Sequence, residues 1–179
     1  KSILLLNTLK NHLFQKRKIF INIYINKTMK SRNLKFTEAI NEAMILSMKR
    51  ERKIICYGLG VDDPKRIFST TNNLKEIFGS KRVFDVPASE NALTGIGIGS
   101  SLNGLRPVMV HQRLDFFLYA MDQLINGAAK WYYMNAGQQN VPIVIRMVVG
   151  RGWGQGSQHA QSLESWFGHI PGLKVVMPS

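Results

Sequence analysis

From Phe36 onward the apolar and polar positions alternate between a helical period and short strand-like runs. Residues 36–50 place Phe36, Ile40, Ala43, Met44 and Ser47 on one face, and Thr37 followed by Glu38 predicts a helix with Thr37 as its N-cap. Residues 53–57 read as a short buried strand, 71–78 as a helix closed by Gly79, and 82–86 as a strand ended by Pro87. Residues 90–103 are helical but rich in small side chains: Ala92, Gly95, Gly97, Gly99, Ser100 and Ser101. An interior glycine costs roughly 1 kcal/mol relative to alanine, so this helix is expected to be buried with a neighbouring backbone close against it. A strand at 107–110 follows, then a long helix at 116–134 with Phe117, Met121, Leu124, Ala128 and Trp131 on one face. After these come a β-branched strand at 142–149, a Gly-rich loop at 150–156, a helix at 159–168 and a last strand at 173–177. Strands alternating with helices across short joints predict an α/β fold, a three-layer domain around a mainly parallel sheet. Its last strand runs to the end of the chain, so the domain at 29–179 is expected to be incomplete at its C-terminal end.

Residues 1–28 do not share this pattern. They are built largely from Lys, Asn, Ile and Leu, hold no Gly, Pro, Ala or acidic residue, and precede Met29. Three readings stay open: a basic presequence, which would place the protein in the mitochondrial matrix, residues from a non-coding frame ahead of a start at Met29, or, on charge alone and as the weakest, a basic arm for nucleic acid or membrane. The second is preferred, because presequences are usually rich in Arg and Ser and this segment has one of each. On any of them the segment lies outside the predicted fold.

The net charge of +13 changes meaning once it is divided along the chain. Residues 1–35 hold 9 basic and no acidic residues, while residues 36–179 hold 15 basic and 11 acidic. The body is too mildly basic to argue for a nucleic-acid surface. A single cysteine, Cys56, excludes an internal disulfide, and no Cys or His cluster has zinc-ligand spacing, which fits a reducing, cytoplasmic setting. The apolar runs at 3–6 and 19–25 are far shorter than the roughly 20 residues of a membrane span.

In open α/β sheets the ligand crevice lies beyond the carboxyl ends of the strands. Glu90 follows the strand at 82–86 through Pro87-Ala88-Ser89 and opens the small-residue helix. A glutamate there is also an ordinary helix-start residue, favoured by the dipole by about 0.3–1 kcal/mol. The run Thr94 to Ser100 resembles a dinucleotide fingerprint but fails its spacing, so helix packing explains its glycines better. The loop at 150–156 lacks the ending of a P-loop. His159, at the predicted start of the next helix, would stay neutral and able to exchange a proton, or be merely structural. His111 and His169 are assigned to packing or solvent, and Cys56 to inert core.

Taken in order, Asp85-Val-Pro-Ala-Ser-Glu90, Gly104-Leu-Arg-Pro107, Asp122-Gln-Leu-Ile-Asn126, Ala128-Ala-Lys130 and Gly168-His-Ile-Pro-Gly-Leu-Lys174 narrow these alternatives. From about residue 36 to 179 the chain resembles the beta subunit of thiamine-diphosphate-dependent 2-oxo acid dehydrogenases of the pyruvate dehydrogenase type, with its transketolase-like pyrimidine-binding domain. The resemblance implies that Glu90 hydrogen-bonds the aminopyrimidine nitrogen of thiamine diphosphate, that Phe116 stacks on that ring, that Ala88 lines its pocket and that His159 is the active-site histidine. It further implies an alpha subunit that supplies the diphosphate half of the cofactor site and holds its magnesium, in an α₂β₂ heterotetramer. A small 2-oxo acid would be decarboxylated oxidatively within a multienzyme complex, and its acyl unit passed to a lipoyl acyltransferase. No metal ligand is assigned to this chain, and neither nucleic acid nor membrane is expected as a partner.

One stretch departs from the family's usual acidic and aromatic run at the pocket edge: Val110-His-Gln-Arg-Leu-Asp115. It leaves the substrate open. Arg113 or Arg151 could meet a substrate carboxylate, or lie on the rim. The helix carrying Gly95 and Gly99 and the helix from Phe116 are the expected close contacts with the alpha subunit. The alternatives to this function are a transketolase or deoxyxylulose-phosphate synthase type fragment, and a non-catalytic interaction module of the same fold.

Overall fold

The computed structural model describes residues 32–63, 66–150, 152 and 154–178, and the expectations for residues 1–28 and for Arg151 lie outside them. The unit from Lys35 onward contains helix α1 (Phe36–Arg50), strand β1 (Ile54–Gly58), α2 (Leu74–Phe78), β2 (Val83–Asp85), α3 (Glu90–Leu102) and β3 (Arg106–His111). After them come α4 (Leu114–Phe117), α5 (Ala129–Met134), β4 (Val144–Met147) and α6 (Glu164–Gly168). The strands form one all-parallel sheet in the order β2-β1-β3-β4. Parallel strands require crossovers, and these place apolar residues on both faces of the sheet. Tyr57 and Met109 point into a cluster with Leu93 of α3, Leu114, Phe117, Leu124 and Phe167. Cys56 and Val110, one residue out of phase, join Met48 of α1, Leu74 of α2, Val61, Ile67 and Val83 on the opposite face. The two-residue alternation of a strand thus builds the two cores of the expected three-layer domain.

Individual elements differ from the sequence reading for identifiable reasons. Helix α1 is capped at Lys35 rather than Thr37, with the Glu38 carboxylate accepting from the Lys35 amide at 3.0 Å. Only its C-terminal half packs inward: Met48 is buried and Met44 and Ile45 flank it, while Phe36, Ala43 and Ser47 are exposed. Helix α2 starts at Leu74, not 71, because Arg66, Ile67, Phe68, Ser69 and Asn73 all have positive φ, which no right-handed helix tolerates. Buried Thr71 holds this turn by donating to the carbonyls of Val61 and Arg66.

The expected continuous helix at 116–134 is broken into α4, a 3₁₀ turn (Leu118–Ala120), a π-helical stretch (Gln123–Ala128) and α5. Phe117 and Leu124 are buried as expected, but the register is carried by a tightened and then a widened turn. The helix expected from 159 is confined to α6, so His159 lies five residues before a helical turn. Residues 173–177 do not pair as a strand. Leu173 packs in the core, whereas Val175, Val176 and Met177 are exposed, with no ladder beside them among the described residues.

The glycines of α3 also act differently from one another. A Cβ at Gly97 would lie 2.3 Å from the Tyr57 hydroxyl and 2.7 Å from Ile143 Cδ1, so the close neighbours are side chains and not the backbone expected. Tyr57 in turn donates to the Leu93 carbonyl at 2.9 Å and pins α3 onto β1. Gly99 faces open space, and Ile96 beside it is exposed.

Candidate functional site

A cleft of about 570 Å³ opens at the carboxyl ends of three adjacent strands. Leu59, Gly60 and Asp63 reach it from the end of β1, Asp85, Val86, Ala88 and Glu90 from the end of β2, and Gln112, Phe116 and Tyr119 from the end of β3. This is where the crevice of an open parallel sheet belongs, at the point where the connections from neighbouring β1 and β3 leave in opposite directions, towards β2 and β4.

The loop after β1 is shaped by two glycines and one carboxylate. A Cβ at Gly58 would meet the Val110 carbonyl oxygen at 2.0 Å, so only glycine lets β1 end this close to β3. Gly60 has φ +79°, and a Cβ there would crowd Asp63 at 2.7 Å and Gln112 at 2.9 Å. Asp85 ties the loop to β2 by accepting from the amides of Val61 at 2.6 Å and Asp62 at 3.1 Å. With both oxygens of Asp85 engaged in fixing the wall, Glu90 is left as a carboxylate able to meet a ligand. It is the first residue of α3, half-buried, and no described residue hydrogen-bonds its side chain. It stands at the N-terminal end of a 13-residue helix.

The structure therefore brings Ala88, Glu90 and Phe116 into one cleft. His159 does not line it directly. Its imidazole stands edge-to-face with the Phe116 ring, 5.3 Å between centroids and 89° between planes, beside the aromatic wall. The guanidinium of Arg113 is turned to the segment carrying His159: Nη1 donates to the His159 carbonyl at 2.9 Å and Nη2 to Gln155 Oε1. This use differs from the substrate contact considered for it.

His111 is buried against Phe117 at 5.0 Å, and neither ring nitrogen has a partner among the described residues. Burial pushes its pKa down to about 4. Burial raises the Cys56 thiol to about 11 and the Tyr57 phenol to about 12, so both remain protonated at neutral pH. Leu59, Gly60, Asp63, Gln112 and Tyr119 were not singled out by sequence reasoning. The crevice rule could have found the β1 set, since Gly58 to Asp63 directly follows a predicted strand. Among the described residues no group of three or more His, Cys, Asp or Glu side chains is arranged to hold a metal ion.

Two of the motifs read separately in the sequence meet in the fold. A Cβ at Gly172 would lie 2.2 Å from the Ala129 carbonyl oxygen, so the turn after α6 rests directly on the start of α5. Gly172 also has φ +96°.

Comparison with known proteins agrees with this geometry. Residues 32–179 match the family described as transketolase, pyrimidine binding domain. The chain is 42% identical over 141 residues to the mitochondrial pyruvate dehydrogenase E1 component subunit beta of Rattus norvegicus and 40% identical to that of Homo sapiens. It is 39% identical to the pyruvate dehydrogenase E1 component subunit beta of Rhizobium meliloti (strain 1021). These matches cover 79% of this chain but 39% of the rat and human proteins and 31% of the bacterial one, so the chain spans well under half the length of these relatives. With its all-parallel four-stranded sheet and its cleft at the ends of β1, β2 and β3, the chain belongs to the transketolase pyrimidine-binding domain family.

Proposed function

We propose that the cleft is the pyrimidine side of a thiamine diphosphate site in a pyruvate dehydrogenase type 2-oxo acid dehydrogenase. One observation carries this reading. A half-buried Glu90 carboxylate with no described partner, an aromatic wall at Phe116 and the small Ala88 converge on one cleft large enough for a planar aminopyrimidine. When bound, thiamine diphosphate supplies the carbon nucleophile that 2-oxo acid decarboxylation requires. Glu90 would share a proton between its carboxyl group and the ring nitrogen of the pyrimidine. Phe116 presents a flat face to the pyrimidine, and Ala88 leaves the room that a larger side chain would fill. His159, in edge contact with Phe116, serves proton transfer to and from the substrate.

The diphosphate and its magnesium are held by an alpha subunit, in an α₂β₂ assembly that passes the acyl unit to a lipoyl group on an acyltransferase component. The names of the relatives support the pyruvate dehydrogenase class. Several of them are named as mitochondrial, which fits the matrix alternative read from the sequence.

The test is co-expression with an alpha-type subunit and measurement of 2-oxo acid decarboxylation by the wild type and by Glu90→Gln. Glu90→Gln keeps the shape of the side chain and removes its exchangeable acid, so the rate should fall by roughly 10²-fold or more while assembly is retained. A near-normal rate overturns the assignment.

A further inference from the structure

The cleft reading names His159 but leaves open what fixes it, since no helix begins there. Two side chains from the segment before Phe116 reach across to it. Arg113 donates to the His159 carbonyl at 2.9 Å and also binds Gln155 Oε1. Asp115 is buried, and its Oδ1 accepts from the Gln161 amide at 3.1 Å and from Gln161 Nε2 at 2.9 Å. Its second oxygen, Oδ2, is buried with no partner among the described residues, so the hydrogen bonding of this carboxylate is directed to Gln161. Leu114, between the two, is itself anchored, its amide donating to the Val148 carbonyl at 3.0 Å, and its side chain is buried in the core.

We propose that Arg113 and Asp115 are positioning residues that clamp the backbone at His159 and two residues after it and so set its imidazole against Phe116. The geometry is of two fixed points: one at residue 159 itself, the other two residues later, both reached from a segment that carries Phe116 as its next residue. Phe116 and His159 therefore share one support, and a shift of the 113–115 segment moves both. This inference rests on the proposed reading of His159 as the active-site histidine beside Phe116.

The test uses the full chain without cofactor. Amide exchange at Gln161 and the imidazole C–H resonances of His159, displaced by the Phe116 ring current, are recorded for wild type, Arg113→Met, Asp115→Ala and Asp115→Asn. Loss of either clamp should speed Gln161 exchange by about tenfold or more and move the His159 resonances towards those of a free imidazole. Asp115→Asn keeps an oxygen acceptor for both Gln161 donors and should stay close to wild type, which a general packing defect would not predict. If Asp115→Ala does not fold, Arg113→Met and Asp115→Asn carry the comparison. Unchanged His159 resonances in Arg113→Met, or equal disturbance in Asp115→Asn and Asp115→Ala, overturn the proposal. Failure to bind thiamine diphosphate would leave these readings intact and count only against the proposed function.

Discussion

His111 carries the clearest pH dependence of any single residue. Buried at the end of β3 with both nitrogens lacking described partners, it is neutral in the folded chain, and its pKa is lowered to about 4 from an ordinary value of 6.5. Because the unfolded state takes up this proton first, stability should be full above pH 6.5 and fall as the pH drops towards 4. The loss is on the order of 3 kcal/mol. His111→Phe should remove that acid limb and raise stability at neutral pH by about 1 kcal/mol or more, since the ring is already packed as an aromatic against Phe117. Denaturant titrations of both proteins between pH 7 and 4 check this, and parallel curves would contradict it. The thiol of Cys56 should likewise react with alkylating agents only on unfolding. Sequence reasoning placed Cys56 in the core because it lies in an apolar strand, and left His111, a lone histidine just past the strand at 107–110, to packing or solvent. It could not see that the imidazole lacks partners, which depends on what lies across the sheet.

At the scale of elements, two glycines show how much tertiary contact decides. Gly172→Ala would force a Cβ onto the Ala129 carbonyl at a φ of +96° and should cost at least about 2 kcal/mol. Gly99→Ala, on the open side of α3, should instead be neutral or slightly stabilising, by up to roughly 1 kcal/mol. Thermal melts of the two variants separate these expectations, and similar shifts would refute the packing argument. The small-residue helix was legible as a special element, but its three glycines were not distinguishable, since only the fold shows Tyr57 against Gly97 and space beside Gly99. The segment after Phe116 was legible as helical because 3₁₀, π and α turns can bury the same apolar positions. For the same reason its breaks were hidden. The strand expected at 173–177 failed on a different ground: β-branched residues mark a strand only when a partner lies alongside.

At the scale of the whole molecule, strand order makes the site. Placing β1 between β2 and β3 brings three loop sets to one edge of the sheet, and the cleft needs all three. Alternation of strands and helices made the α/β class legible, and the run from Asp85 to Glu90 made the central residue of the cleft legible. The wall from Leu59 to Asp63 required knowing which strands are neighbours. On the proposed reading, in which an alpha-type subunit holds the diphosphate, binding of the complete cofactor is expected only with that second chain present. The most direct measurement is calorimetric titration of thiamine diphosphate with magnesium into the chain assembled with an alpha-type subunit, comparing wild type with Ala88→Trp. Ala88 is exposed in a loop, so tryptophan there should fill the cleft without unfolding the domain. Saturable binding by the wild type, weakened at least about tenfold in Ala88→Trp, is the predicted result. Equal binding by the two assemblies would contradict the account, because the cofactor would then lie somewhere other than this cleft.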